Sequence, residues 1–311
     1  MGLQKYRGAV CSLLALLGLT ACSNPPPPPP VKAATHEPQV ETPTRFEATT
    51  PYRAKLATKN ADLYLPPWFS PRKGGYDLVV HFHGLGKLQE ANVERAQLNV
   101  AVVSVNLGAG SDAYANGFRD PGTFPKLLAE AEEEIEKSGR GHGAHVRRLA
   151  LSAWSAGFLS VARVMSDPQM AEKVDAILLA DGFFTSFTNV KKRTPNTEPL
   201  EKFVKYVEAA EKNDRLFAIT HTTIPTGEYP SVQEVVAKLL EMTSLEKAPS
   251  SATGPRNMHE IYTVDRGSFH VRGYEGVTAQ DHIKQIHAMG ETLYPYLKTR
   301  WDDEPKTAAT R

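Results

Sequence analysis

Cysteine is almost missing from this chain. Its 311 residues contain two, Cys11 and Cys22, and everything after Cys22 therefore lacks both disulfides and thiolate metal sites. An excess of either charge is missing too. Lys and Arg number 36 against 35 for Asp and Glu, a net charge of +1. Such a balance argues against nucleic acid or a strongly acidic surface as the main partner. There is no internal repeat, and the longest N-terminal apolar run, residues 9–19, is too short for a comfortable membrane-spanning helix. What is present is ample apolar material. Hydrophobic residues make up 41% and charged residues 23%, enough to bury a sizeable core in one large domain.

The N-terminal run follows Lys5 and Arg7 and has the length of a signal-peptide core. Met1-Gly2 is not a myristoylation signal, because Tyr6 stands where Ser or Thr is required. The run ends in Leu19-Thr20-Ala21-Cys22, which resembles the lipobox of bacterial lipoproteins. That resemblance implies a signal peptide over 1–21, acylation (palmitate and related chains) at Cys22, and stable anchoring to a membrane. Ser23, where Asp would retain the protein at the inner membrane, implies the outer membrane. Six consecutive prolines, Pro25 to Pro30, open a linker over 22–50. They predict a polyproline II rod of about 19 Å. A folded domain is expected over 51–302, with a tail at 303–311.

Within the domain, apolar runs of strand type alternate with segments of helical spacing. Strands are predicted at 62–65, 76–82, 100–107, 149–151, 174–180, 216–224, 260–264 and 269–274. Helices are predicted at 123–137, 158–164, 198–212 and 231–247, with one long final helix over 281–301. Gly108, Gly110 and Gly117 predict a mobile loop that carries Asp112, Tyr114 and Asn116. The alternation predicts an α/β fold with a doubly wound, mostly parallel sheet.

The chain is organised around residues 148–161. A strand runs into Ala153-Trp154-Ser155-Ala156-Gly157, and a helical pattern follows. Small residues two places either side of a serine, at a strand-to-helix junction, describe a nucleophile elbow, here with Ala153 in place of the usual first glycine. Ser152 is still on the strand and Ser160 already in the helix, so Ser155 is the candidate nucleophile.

At this point the chain resembles the α/β-hydrolase fold family over roughly residues 76–301. His83-Gly84 follows a strand upstream of the elbow, Ser155 sits on it, and Asp181 and His282 follow in the family order. The resemblance implies a serine hydrolase of carboxylesterase type acting on ester or possibly amide bonds of a small molecule. Ser155 would be nucleophile, His282 base and Asp181 the orienting acid, with the N–H groups of Leu85 and Ala156 as oxyanion hole. Glu228 is the second candidate for the acid, since most of the family places it one strand later. Asp281 is expected to cap the last helix. His81 and His83 alternate on a strand, but no nearby carboxylate completes a metal site, so neither metal nor cofactor is expected. Phe183, Phe184 and Phe187 are open between pocket and core, and Lys191, Lys192 and Arg193 between anion contact and solvated turn. A catalytically inactive member of the fold that binds a ligand or envelope partner is the competing expectation. The oligomeric state is not readable.

Overall fold

The structure, a computed structural model, describes residues 50–302. The expected signal peptide, Cys22, the expected linker before residue 50 and the tail from 303 lie outside the described residues. In chain order, β1 (Tyr52–Lys55), β2 (Asp62–Leu65) and β3 (Gly75–Phe82) lead to α1 (Gly86–Ala96). Next come β4 (Ala101–Val105), α2 (Ser111–Gly117) and α3 (Thr123–Lys137). The central unit is β5 (His145–Trp154), α4 (Phe158–Val164), α5 (Pro168–Lys173) and β6 (Val174–Ala180). A small hairpin, β7 (Phe187–Asn189) with β8 (Thr194–Pro195), precedes α6 (Glu201–Glu211), β9 (Leu216–His221) and α7 (Val232–Thr243). The chain closes with β10 (Ala248–Pro249), β11 (Glu260–Arg266), β12 (Phe269–Tyr274), α8 (Ala279–His287), α9 (Met289–Thr292) and α10 (Tyr294–Asp302).

The main sheet has ten strands in the order β1-β2-β4-β3-β5-β6-β9-β12-β11-β10. The run β4-β3-β5-β6-β9-β12 is parallel throughout, and antiparallel strands extend both edges. Helices cover both faces. This is the doubly wound, mostly parallel sheet that the alternation of elements predicts.

Period-two alternation divides the strand residues between two cores. Leu149, Leu151 and Ala153 of β5 and Ile177 and Leu179 of β6 face α3, α4, α6 and α7. Ala150 and Trp154, with Ala176, Leu178 and Ala180, face α1, α8, α9 and α10. On the first side Phe158, Phe183, Phe203 and Phe217 form edge-to-face and tilted pairs with centroids 5.1–6.2 Å apart. Phe183 is therefore core, not pocket lining.

Four expectations need correction. The segment after Gly110 is the short helix α2, and its Tyr114 is fully buried. The final helix is broken into α8, α9 and α10. Asn92 of α1 explains the first break, taking the Gly290 N–H on Oδ1 and giving its own N–H to the Ile286 carbonyl. The strand predicted over 216–224 ends at His221. The helix predicted over 231–247 runs only over α7, with Ser231 as its N-cap and Ser244 left-handed at its end.

At the N-terminal ends of the strands, charge pins the last helix to the sheet. Asp77 of β3 accepts paired bonds from both Arg147 and Arg148 of β5. Asp175 of β6 accepts two bonds from Arg300 (2.9 and 2.6 Å) and one from Trp301 Nε1 (2.6 Å). Burial pushes the Asp175 carboxyl up, but those donors outweigh it and hold it below its ordinary value. Arg300→Met would leave this carboxylate largely buried with one donor. The expected cost is about 3 kcal/mol in urea unfolding. A loss below about 0.5 kcal/mol would reduce the pair to an ordinary surface contact.

Candidate active site

Three neighbouring strands end in the same unusual way. The residue after β3 is His83 (φ +77°), the residue after β5 is Ser155 (φ +51°), and the residue after β6 is Asp181 (φ +45°). Side chains in this left-handed region are sterically costly. Other non-glycine residues share the conformation, but only these three of those described are buried, at 6, 6 and 3% exposure. Parallel register sets Phe82 beside Ala153 and Trp154 beside Ala180, so the three turns lie side by side.

Two glycines make that crowding possible. A Cβ on Gly157 would stand 2.1 Å from the Phe82 carbonyl oxygen and 2.9 Å from His83 Cβ. A Cβ on Gly182 would stand 2.5 Å from the Ser155 carbonyl oxygen and 2.7 Å from its nitrogen. Asp181-Gly182 is thus pressed directly against the Ser155 backbone.

Ser155 opens a 3-10 turn, Ser155–Gly157, that feeds α4. Leu85 is the N-cap of α1. The N–H groups of Ala156 and Leu85 therefore belong to helix starts, where backbone donors have no intrahelical acceptor. The side chain of Leu85 is 63% exposed.

Asp181 Oδ2 lies 2.7 Å from His282 Nδ1. A carboxylate only accepts, so Nδ1 carries the proton and, in the neutral ring, Nε2 is left as a base. Thr222, just after β9, gives its N–H to Oδ1 (2.9 Å) and its hydroxyl to Oδ2 (2.7 Å). Burial alone would raise the Asp181 carboxyl; the bond and charge of His282 and both Thr222 donors outweigh it and hold the carboxyl below its ordinary value. Of the two bonds that a Ser-His-Asp relay uses, this one is formed. A bond from Ser155 Oγ to His282 is not among those of the described residues, and such bonds commonly close only when substrate binds.

His282 lies in the first turn of α8. Thr278 caps that helix, and Asp281 completes the capping box. Trp154 braces the imidazole. Their rings are 4.7 Å apart, and the indole N–H reaches the His282 carbonyl at 3.0 Å. The second ring against Trp154 is His83, stacked at 4.8 Å. Burial and the nearby His282 push His83 down to about 4, so it is neutral at neutral pH. Its Nδ1 meets the phenol of Tyr114 at 2.7 Å, and that phenol also takes the Leu107 N–H and reaches the Gly108 carbonyl. His81 is fully buried; its Nε2–H holds the His83 carbonyl (2.8 Å), and Nδ1 accepts from Ser152. The loop carrying Leu85 is thus fixed from beneath and from the side.

Other candidates lie elsewhere. Glu228 is exposed on the loop after β9 and makes no bond to His282 among the described residues. His145 pairs with Glu132 at the far end of β5, and His270 stacks on Tyr296 at 3.9 Å. Arg193 is engaged with Glu234 through two bonds of 2.6 and 2.7 Å, while Lys191 and Lys192 are exposed. Among the described residues no group of three or more His, Cys, Asp or Glu is placed to hold a metal ion. The roles of Tyr114, Trp154 and Thr222 were not read from the sequence. The available signal for Thr222 was the lack of a carboxylate at the end of β9.

The chain matches no family model and no curated protein. Solved structures are similar at low identity. A mutant of the feruloyl esterase module from Clostridium thermocellum has 14% identity and TM-score 0.45, covering 79% of this chain and 86% of its own. A poly(3-hydroxybutyrate) depolymerase from Bordetella parapertussis has 14% identity and TM-score 0.46, with 85% and 95% covered. A hyperthermophilic esterase from the archaeon Pyrobaculum calidifontis has 11% identity and TM-score 0.41, with 78% and 84% covered. At these values the likenesses carry no argument about chemistry, and the reading of the site rests on its own geometry.

Gly182→Ala tests that geometry. Its methyl has only the Ser155 backbone to enter, so the variant should lose about 3 kcal/mol in denaturant unfolding. A loss within about 0.5 kcal/mol would mean that the two turns are not in forced contact.

Proposed function

We propose that this protein is a serine hydrolase acting on esters or related acyl compounds. The observation that carries the reading is the Asp181–His282 bond made beside a buried, left-handed Ser155. Ser155 Oγ attacks the acyl carbon while His282 Nε2 takes its proton. The carbonyl oxygen becomes an oxyanion facing the N–H groups of Leu85 and Ala156. Collapse breaks the bond to the leaving alcohol, which receives the proton from His282. Water then repeats the sequence against the acyl-enzyme and restores the serine. Asp181 keeps the proton on Nδ1 and stabilises the imidazolium; it does not itself become protonated.

A fluorophosphonate probe should label the wild type and fail on Ser155→Ala. Asp181→Asn should lower kcat by about 10²- to 10⁴-fold, because an amide can hold the wrong tautomer. Labelling that survives Ser155→Ala would remove this serine from the chemistry. One observation favours a second reading, a catalytically inactive ligand-binding protein of this fold: the hydroxyl–imidazole bond is not made. A wild type that neither labels nor turns over ester, thioester or amide panels would decide for it.

We also propose that the domain is carried on a lipid-modified Cys22 in a bacterial envelope, at the outer membrane. Leu19-Thr20-Ala21-Cys22 and Ser23 support this reading. No described helix is long and apolar enough to cross a membrane. Cys22→Ala should abolish incorporation of labelled palmitate and release the protein from the membrane fraction; unchanged fractionation would overturn the anchor.

A further inference from the structure

We propose that Thr222 is the positioning residue of the Asp181 carboxylate, and that His221 and Tyr262 lock Thr222 in place. The inference rests on the reading of Asp181 as the acid of the hydrolase. Asp181 has no arginine or lysine partner in its hydrogen bonds; its two oxygens are met by Thr222 and His282. Thr222 is 2% exposed and directly follows β9, the next strand of the sheet. It spans the carboxylate, with its N–H on one oxygen and its hydroxyl on the other. The hydroxyl also accepts the Ile224 N–H at 3.4 Å, which leaves its single proton for Asp181.

The grip on Thr222 is itself directional. The Thr222 carbonyl receives His221 Nδ1 at 2.8 Å. A carbonyl only accepts, so Nδ1 carries the ring proton. Burial lowers the pKa of His221 and keeps the ring neutral, so Nε2 must accept. Tyr262 of β11 therefore donates its hydroxyl proton to Nε2. Each donor in the series from Tyr262 through His221 and Thr222 to Asp181 has one acceptor, so no alternative tautomer is available. Lys247 sits over the Tyr262 ring at 4.3 Å and closes the series at the surface.

Oδ2 is shared. Thr222 Oγ1 and His282 Nδ1 both reach it at 2.7 Å. Removing the hydroxyl leaves more of the carboxylate charge for the imidazole, which favours imidazolium. His282 then titrates at higher pH, and its neutral, base-competent form appears later. The acid limb of kcat/KM should move upward. Loss of stability alone would scale activity without moving the limb. The other titratable groups facing this pair are His221 of β9, Tyr229 on the loop after it, and His83 after β3; all stay in the variants.

The test uses the full chain, with NMR titration of the His282 ring and the pH profile of p-nitrophenyl butyrate hydrolysis. Thr222→Val should raise the His282 midpoint and the acid limb by about 0.5–1 pH unit. It should lower kcat near neutral pH by about 10-fold with KM within about twofold. Thr222→Ser should restore both. Tyr262→Phe should shift the midpoint the same way by a smaller amount, and it carries the test if the valine variant does not fold. Midpoints unmoved in both variants, or a serine variant behaving like valine, overturn the proposal. A midpoint moved in the variants, with a wild type that turns over nothing, would leave Thr222 in its role and remove the hydrolase reading. Turnover with unmoved midpoints would do the reverse.

Discussion

The structure depends on one steric constraint: three adjacent parallel strands must all leave the sheet through buried left-handed residues. Each such residue costs about 1–3 kcal/mol, and the conformation survives only where the surroundings enforce it. Here the enforcement is mutual. Gly157 lets the Ser155 turn pass against Phe82 and His83, and Gly182 lets the Asp181 turn pass against Ser155. The continuous pairing of β3, β5 and β6 holds all three strand ends at one level. A serine, a carboxylate and the start of a donor-bearing loop are thereby brought to one edge of the sheet before any polar contact is counted.

Much of this was legible locally. The apolar runs of β5 and β6, the amphipathic α3 and the small residues around Ser155 all encode their roles in nearest neighbours. His282 was legible through the resemblance, by its order after Ser155 and Asp181 and its place after the last strand. What stayed hidden came from contacts distant in the chain. The glycines around Tyr114 suggest a loose loop, yet the ring is packed under His83 and buries its hydroxyl among residues 83, 107 and 108. The pattern over 281–301 suggests one helix, yet Asn92 of α1 intercepts its backbone. Thr222 has only an indirect sign, the lack of a carboxylate at the end of β9, because what it holds lies 41 residues earlier in the chain.

The position of Asp181 accounts for several features together. Asp181 follows the strand beside that of Ser155, so its turn touches Ser155 directly. His282 must come down to it from the first turn of α8, and Trp154 supplies both a face and an N–H for that approach. The end of β9 is then free of a carboxylate and provides donors instead. A buried charge needs such donors, since an uncompensated carboxylate in this environment would simply take up a proton.

The two ends of the sheet treat buried carboxylates in opposite ways. Asp77 and Asp175 meet arginines, which do not give up their proton, and so they fix strands and the final helix without any chemistry. Asp181 meets neutral donors and one histidine. Only the second arrangement permits the charge on the partner to change while the carboxylate stays put. An arginine in place of His282 would satisfy Asp181 at least as well electrostatically, and a purely structural ion pair would gain from it. The titratable partner is the costlier choice for stability. It stands where the left-handed turns, the helix-start N–H groups and the serine converge, and that coincidence is what a proton-transfer site requires and a structural pair does not.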